Sequence, residues 1–330
     1  MIKFSIIIPV KELNDYLDES IPKIFEMNYK NFEIIILPNE KPTTSPNYLK
    51  NKRIRIIETG KVSPAVKRDI GAKEAKGEYV AFLDDDAYPE KDWLDIAEKE
   101  FAEKKCAAVC GPAMTPKNSS FFQKASGLFF ESTFGSGPTN HRDIPTKESF
   151  YVEDYITVNL IVNKKVFLEI GGFNNEFWPG EDTKFCLDLI NAGHKIWYSN
   201  KLIVYHHRRK NLKAHLKQIG NYGKHRGYFA GKFEKTSFKV GYFAPFVFTF
   251  GNIGLFFFSI WKIGFLFLWS SLLLFYFCLI SYDIGRLTKN RKLWITTIGI
   301  TFLSHLYYGW MFFIGFLMGL FRIKLKSKLR

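Results

Sequence analysis

The stretch whose reading decides the fold is residues 78–93, "EYVAFLDDDAYPEKDW". An unbroken apolar run stops in three adjacent acids, Asp84, Asp85 and Asp86, and a proline and a helix-like segment follow. "EYVAFLD" (78–84) reads as a strand buried on both faces, as in parallel sheets covered by helices. In open sheets of that kind ligands sit beyond the carboxyl ends of the strands, and the three acids lie at such an end. Adjacent carboxylates repel one another unless something offsets their charge. A hard divalent cation does so, and Mg²⁺ or Mn²⁺ commonly takes one or two carboxylates together with substrate phosphates. On an extended chain Asp84 and Asp86 point to one side and Asp85 to the other. The stretch therefore implies a metal and a phosphorylated ligand. A solvated turn would also carry acids; the apolar strand in front of the triplet is what argues for a site.

Working outward, the first ~200 residues alternate β-branched runs with helical spacings, the pattern of a mostly parallel α/β sheet. "FSIIIPV" (4–10), "FEIIILP" (32–38) and "RIRIIET" (53–59) read as strands, and "YLDESIPKIFEM" (16–27) as a helix. "SPAVKRDIGAKEAKG" (63–77) reads as a helix with Ser63 as N-cap, Pro64 in the first turn and Gly77 at its end. "GSGPTNHRDIPTKES" (135–149) is turn-rich and polar. "KLIVY" (201–205) reads as a strand ending at His206 and His207. Four cysteines, Cys106, Cys110, Cys186 and Cys278, show no paired metal spacing and read as small buried hydrophobes in a reducing compartment.

A second acidic pair stands in "WPGEDTKF": Glu181 and Asp182 follow a Pro-Gly turn and open a helix that ends at Gly193. One acid at a helix N-terminus is explained as a cap. Two acids behind Trp178, a ring able to stack on a sugar face, suit general-base work, in which one carboxylate takes a proton from a hydroxyl and the other orients it. In "YHHRR" (205–209) an imidazole could complete a metal's coordination. In "YGKHRG" (222–227) Lys224 and Arg226 could fold over a diphosphate.

The chain has 330 residues and a formal charge of +15, and 17% of it is aromatic. The basic residues concentrate between Lys201 and Lys239, immediately before uncharged runs at 240–261, 263–282 and 293–321. Each run supplies the ~20 apolar residues that cross a bilayer. The basic residues flank these runs and do not interleave with aromatics on a sheet face, so anionic lipid is the expected partner and nucleic acid is not. The N-terminal "MIKFSIIIPV" is too short for a signal peptide and reads as a first strand, which leaves the N-terminal part in the cytosol. Basic segments before the first run and between the second and third then place two spans as a hairpin with its ends in the cytosol. A third span would strand the basic tail "RIKLKSKLR" (322–330) on the wrong side, and Ser304, His305, Gly309 and Gly315 make a re-entrant or interfacial segment the alternative.

Together these motifs resemble the family 2 glycosyltransferases, inverting enzymes of the GT-A fold, over residues 3 to 230. "SIIIPV" resembles the family's opening strand, and "SPAVKRDIGAKEAKGEYVAFLDDDA" its donor helix and D-x-D strand. "EIGGFNNEFWPGEDTKFCLDLINAGHKI" resembles the acceptor-side segment, and "VYHHRRKNLKAHLKQIGNYGKHRG" the His-Arg segment and interface helix of membrane-bound members. "SHLYYGWMFFIGFLMG" is similar to the tail of exopolysaccharide-type members, several of which act on polyprenyl-linked acceptors.

The resemblance implies a GT-A domain over 1–235, with a donor half at 1–112 and an acceptor half at 113–235, then a membrane region at 236–330. It implies that Pro9, Glu12, Lys67, Arg68, Asp84 and Asp85 serve the donor, with Gln218 and Arg226 closing over it. Asp86 would hold Mg²⁺ or Mn²⁺, with His207, or else His206, completing the shell. Asp182 would be the base, Glu181 its support and Trp178 an acceptor contact. Where the family usually carries an Asp that reads the nucleotide base, this chain has Asn39 and Glu40, either of which could substitute, and Asn39 counts with the donor residues. Asp69 and Lys184 also depart from the pattern. The implied activity is an inverting, metal-dependent transfer from a nucleoside-diphosphate sugar to a hydroxyl of a lipid-linked saccharide at the cytosolic face of the cell membrane. The competing readings are a polyprenyl-phosphate glycosyltransferase, whose anionic acceptor needs no base, and a membrane scaffold with a dead transferase site.

Overall fold

The computed structural model describes residues 2–43, 46–173, 177 and 180–325. Trp178 and the last five residues of the basic tail lie outside the described residues. In chain order the strands are β1 (Phe4–Pro9), β2 (Phe32–Leu37), β3 (Ile54–Ile56), β4 (Tyr79–Phe82), β5 (Ala87–Pro89), β6 (Ala108–Cys110), β7 (Ala113–Met114), β8 (Phe150–Val152), β9 (Leu160–Asn163), β10 (Ile196–Tyr198) and β11 (Val204–His206). The helices are α1 (Asp15–Glu26), α2 (Pro64–Glu74), α3 (Trp93–Glu103), α4 (Phe121–Glu131), α5 (Thr133–Ser136), α6 (Lys164–Ile170), α7 (Glu181–Asn191), α8 (Leu212–Lys232), α9 (Glu234–Ser237), α10 (Val240–Trp261), α11 (Ile263–Leu287) and α12 (Arg291–Leu320). They group into two compact units, one built from the chain up to Pro116 and Ile144–His207, the other from Lys117–Asp143 and Arg208–Leu325.

The first unit is an α/β domain around an eight-stranded sheet of order β3-β2-β1-β4-β9-β6-β10-β8. β1 pairs in parallel with β2 and β4, β2 with β3, and β6 with β10, while β9 and β8 run against their neighbours. The mostly parallel α/β reading therefore holds. Helices cover both faces, so successive residues of β1 enter opposite cores: Phe4, Ile6 and Ile8 one, Ile7 the other. That is why these strands read as continuous apolar runs. The third strand, expected at 53–59, contracts to Ile54–Ile56. Ser63 caps α2 by accepting from Val66 N, as expected, but the helix ends at Glu74, with Ala75 as its extended C-cap. Gly77 serves a different need: a Cβ there would come within 2.7 Å of Ser5 N.

A three-stranded sheet, β5-β11-β7, stands at the end of β4. Buried Asn159 ties it to the main sheet, donating to Gly111 O (2.7 Å) and Leu202 O (2.6 Å) and accepting from Trp93 Nε1 (2.9 Å). β11 pairs antiparallel with β5, placing His206 opposite Ala87. This pairing brings the YHH segment to the acid triplet, 120 residues apart in sequence.

In the second unit α4 and α5 join α8 and the three long apolar helices. Within the polar stretch at 135–149, Gly137–Arg142 form a 3₁₀ turn in this unit. α10, α11 and α12 are each long and apolar enough to cross a membrane. None of the four cysteines forms a disulfide; Cys110 and Cys186 are buried, but Cys278 on α11 is exposed.

Candidate active site

The strand β4 delivers the chain to the acid triplet, and β5 carries it away. Ligand atoms of Asp84, Asp86 and His206 all lie within 4.8 Å of one another. His206 Nε2 is 3.1 Å from Asp86 Oδ1, yet both ring nitrogens of this buried imidazole lack a hydrogen-bond partner among the described residues. The ring approaches the carboxylate without the alignment of a hydrogen bond. Two ligands sharing one cation would lie this way, and two carboxylates with an imidazole suit Mn²⁺-like ions. The residues present thus fit the metal.

His207, the ligand expected first, lies elsewhere. Its Nε2 is 2.8 Å from Glu19 Oε2, and its ring packs 4.9 Å from Tyr16. The reason is the strand's period of two: His206 ends β11 on the buried side, and the next residue must face the other way. His207 contributes through its backbone, donating N–H to Asp86 O at 2.9 Å.

Arg68 joins the two acidic motifs. Its Nη2 is 2.7 Å from Asp84 Oδ1 and its Nη1 is 3.0 Å from Glu181 Oε1. Burial works against the guanidinium's charge, but Asp84 and Glu181 outweigh it and raise the Arg68 pKa. Glu181 is buried against it and also accepts Gly180 N at 2.9 Å. Burial, with Asp182 next in chain, pushes the Glu181 carboxyl up to about 7, against the pull of Arg68. Asp182, in the first turn of α7, is half-buried and accepts Thr183 N at 2.7 Å. The two acids thus differ: one is locked in a buried ion pair, the other stands at the helix start, where the backbone amides favour an anion.

The expected donor residues divide. Pro9 pairs with Leu37 at the carboxyl ends of β1 and β2. Lys67 donates to Val10 O (2.6 Å), Leu37 O (3.0 Å) and Asn39 Oδ1 (2.7 Å), so its three donors hold those strand ends and the Asn39 side chain together. Burial lowers its pKa to about 8, with Asp85 opposing. Lys67 therefore braces these strand ends and does not offer an unengaged ammonium. Glu12 is exposed, 3.5 Å from Lys11 Nζ. Asp85 turns away from the cluster and accepts Asn14 Nδ2 at 2.6 Å; burial first, then Asp86, pushes it up to about 6. Gln218 and Arg226 belong to the second unit, on α8: Gln218 donates to Tyr222 Oη (2.8 Å), while Arg226 donates to Ser237 Oγ (3.3 Å) and stacks on Tyr242.

Sequence reasoning passed over Asn14, Glu19 and the bridging role of Arg68. Asn14 had a signal: it precedes "DYLDES", and it caps α1 by accepting from Tyr16 N and Leu17 N. Its second contact, to Asp85, had none.

Among known proteins, the model of the family described as Glycosyl transferase family 2 matches residues 5–169. A protein of Methanococcus voltae, named dolichyl N-acetyl-alpha-D-glucosaminyl phosphate 3-beta-D-2,3-diacetamido-2,3-dideoxy-beta-D-glucuronosyltransferase, is 23% identical over 96% of this chain and 97% of its own length. The pre-mycofactocin glycosyltransferase of Mycobacterium tuberculosis is 26% identical over 48% of this chain; the match spans 33% of that longer protein. Among solved structures, the mannosyltransferase PcManGT of Pyrobaculum calidifontis, in complex with GDP-Man and Mn²⁺, superposes with a TM-score of 0.50 at 15% identity, covering 73% of this chain and 63% of that one.

Proposed function

The chain belongs to glycosyl transferase family 2, and from that premise we propose that it moves a sugar, with inversion, from a nucleoside-diphosphate sugar to a hydroxyl of a lipid-linked saccharide at the cytosolic face of a cell membrane. The observation that carries this reading is the Arg68 bridge: one buried side chain ties a carboxylate of the cation cluster to the Glu181–Asp182 pair. The methanococcal relative, named for a transfer to a dolichyl-phosphate-linked sugar and aligned over nearly the whole chain, supports the lipid-linked acceptor. Three long apolar helices support the membrane setting.

Asp84, Asp86 and His206 would hold Mg²⁺ or Mn²⁺, which when bound supplies positive charge to a diphosphate leaving group. Asp182 takes the proton of the acceptor hydroxyl at its carboxylate. The hydroxyl oxygen bonds to the anomeric carbon as the bond to the diphosphate oxygen breaks, and that electron pair leaves with the nucleoside diphosphate. Glu181 does not compete for the proton transfer, because its carboxylate is engaged by Arg68 and Gly180 N. General-base help of this kind is typically worth ~10²–10⁴-fold.

Titration calorimetry of detergent-purified protein with UDP and GDP, with and without Mn²⁺, tests the reading on wild type and on Asp86→Ala. Manganese-dependent binding of one nucleotide, abolished in the variant, is expected. Wild type that binds neither nucleotide in the presence of metal would leave the scaffold reading standing instead.

A further inference from the structure

We infer that α12, although long and apolar enough to cross, is not a third membrane span: it lies across the half of the α10–α11 hairpin away from its bend, at the membrane surface, so the chain crosses twice and its C-terminal end returns to the side from which α10 departs. The inference rests on the membrane reading above and adds to it the number of crossings.

The first observation is what α12 runs beside. His215 of α8 meets Ser304 of α12 through Nε2 and Oγ, 3.0 Å apart. Further along, a Cβ at Gly223 would come within 2.6 Å of Tyr308 O, and one at Gly231 within 2.9 Å of Phe316 O. A Cβ at Gly227 would clash with the Phe312 carbonyl, and one at Gly319 with that of Tyr228. The partners ascend together, so the two helices are parallel and in backbone contact from Ser304 to Leu320. Over that length α8 carries Lys217, Lys224, Arg226 and Lys232, with Lys213 just before. A helix so charged stays out of hydrocarbon, because each such charge at the bilayer centre is costly. A helix held backbone to backbone along it must stay at the same depth. Lying in the interface, apolar residues inward and basic ones toward anionic headgroups, suits the pair.

The second observation is how α12 meets the hairpin. At its start Trp294 Nε1 donates to Ser281 O at 2.9 Å, and His305 Nδ1 is 2.9 Å from Tyr276 Oη, both partners on the C-terminal half of α11. It then leaves α11 for the N-terminal half of α10: Gly309 abuts Pro245, Phe313 packs 4.9 Å from Phe250, and Phe316 packs 5.8 Å from Phe243. α12 thus passes from the end by which the chain leaves the hairpin to the end by which it enters. A third antiparallel span would follow one neighbour to the far bend. Instead Trp261, Lys262 and Ile263 at that bend are exposed, and a cavity separates Phe302 and Leu306 of α12 from Phe256 and Trp269. The arrangement also removes the charge conflict posed by the tail, since Arg322 and Lys324 now share a side with Lys289 and Arg291.

The test is sidedness. In full-length protein with Cys106 and Cys278 replaced by alanine, single cysteines are placed at the exposed positions Lys262→Cys, Lys289→Cys and Lys324→Cys. Each is probed with a membrane-impermeant maleimide in right-side-out and inverted vesicles. Positions 289 and 324 should label from one side and 262 from the other. Labelling of 324 from the side of 262 would overturn the inference and make α12 a span. Labelling of all three from one side would mean that no hairpin crosses, and would overturn the membrane reading itself, a distinguishable failure. Protease shaving of the tail in the same vesicles, without substitutions, gives an independent reading of where the C-terminus lies.

Discussion

Arg68 Nη1 lies 3.0 Å from Glu181 Oε1, a buried ion pair spanning 113 residues of sequence. The other arm of the same guanidinium reaches Asp84 at 2.7 Å. Through this one side chain the acids at the end of β4 and those at the start of α7 become parts of a single site. The pair is costly to bury, and its worth lies in position: it fixes where α7 begins relative to the sheet.

Breaking that pair should show this. Removing one partner of a buried ion pair typically costs about 3–5 kcal/mol, so Arg68→Met should lower the denaturation midpoint sharply. Arg68→Lys should rescue little, since one ammonium cannot replace a fork that holds two carboxylates. Adding Glu181→Gln to Arg68→Met should recover part of the loss by removing the stranded charge. A double variant no more stable than Arg68→Met alone would count against the pair as the cause.

The two neighbouring histidines should separate cleanly. His206→Ala should weaken Mn²⁺ binding by at least the ~10–100-fold that loss of even an outer-shell partner usually costs. His207→Ala should leave Mn²⁺ affinity nearly unchanged and affect only the contact with Glu19. Manganese titrations of both variants check this, and a reversed ranking would return the metal to His207.

Asp182→Asn should lower turnover by ~10²–10⁴-fold, the usual worth of a general base, while leaving the Kd for nucleoside diphosphate with Mn²⁺ as in wild type. A parallel loss of nucleotide binding would instead place Asp182 in the donor site.

Asp69 offers a pH test away from the cation cluster. Its carboxylate accepts Phe173 N at 2.8 Å, and burial pushes its pKa up to about 6 despite that bond and nearby Lys73 and Arg68. An acid raised on folding binds protons more readily in the native state. Its contribution to stability therefore falls as pH rises from the ordinary carboxylate range through about 6. Asp69→Asn keeps an acceptor for Phe173 N and removes the charge. It should stabilise the protein by about 1–2 kcal/mol at pH 8, allowing for partial solvent screening, and by little below pH 4. Thermal melts at the two pH values measure the difference.

Glycines on the long helices differ in a testable way. Gly227→Ala would drive a methyl into the Phe312 carbonyl, whereas a Cβ at Gly251 meets nothing within 4 Å. Overpacking of this kind costs about 1–3 kcal/mol, so Gly227→Ala should lower the melting temperature in detergent and Gly251→Ala should not.

The α/β class, the strand ending in acids and the apolar helices were legible because each depends on local chemistry: burial on both faces, capping, and the length of an uncharged run. Even the acid pair at 181–182 announced itself by its place after a turn and before a helix. Which of His206 and His207 faces the acid triplet was not legible, because the facing of a strand's last residue is set by its register against β5. Nor did the Lys67 sequence context show that its ammonium faces two strand-end carbonyls and Asn39 rather than a ligand.

The sequence by itself thus determined which chemistries this chain carries and in what order, since those follow from residue type and spacing. Only the tertiary structure decided which of them meet. Arg68 reaches Glu181 through the packing of α2 and α7 on one face of the sheet. α12 lies along α8 because glycines spaced for backbone contact brought it to a charged helix. Pairings between residues a hundred positions apart depend on how elements stack, and no local pattern encodes that.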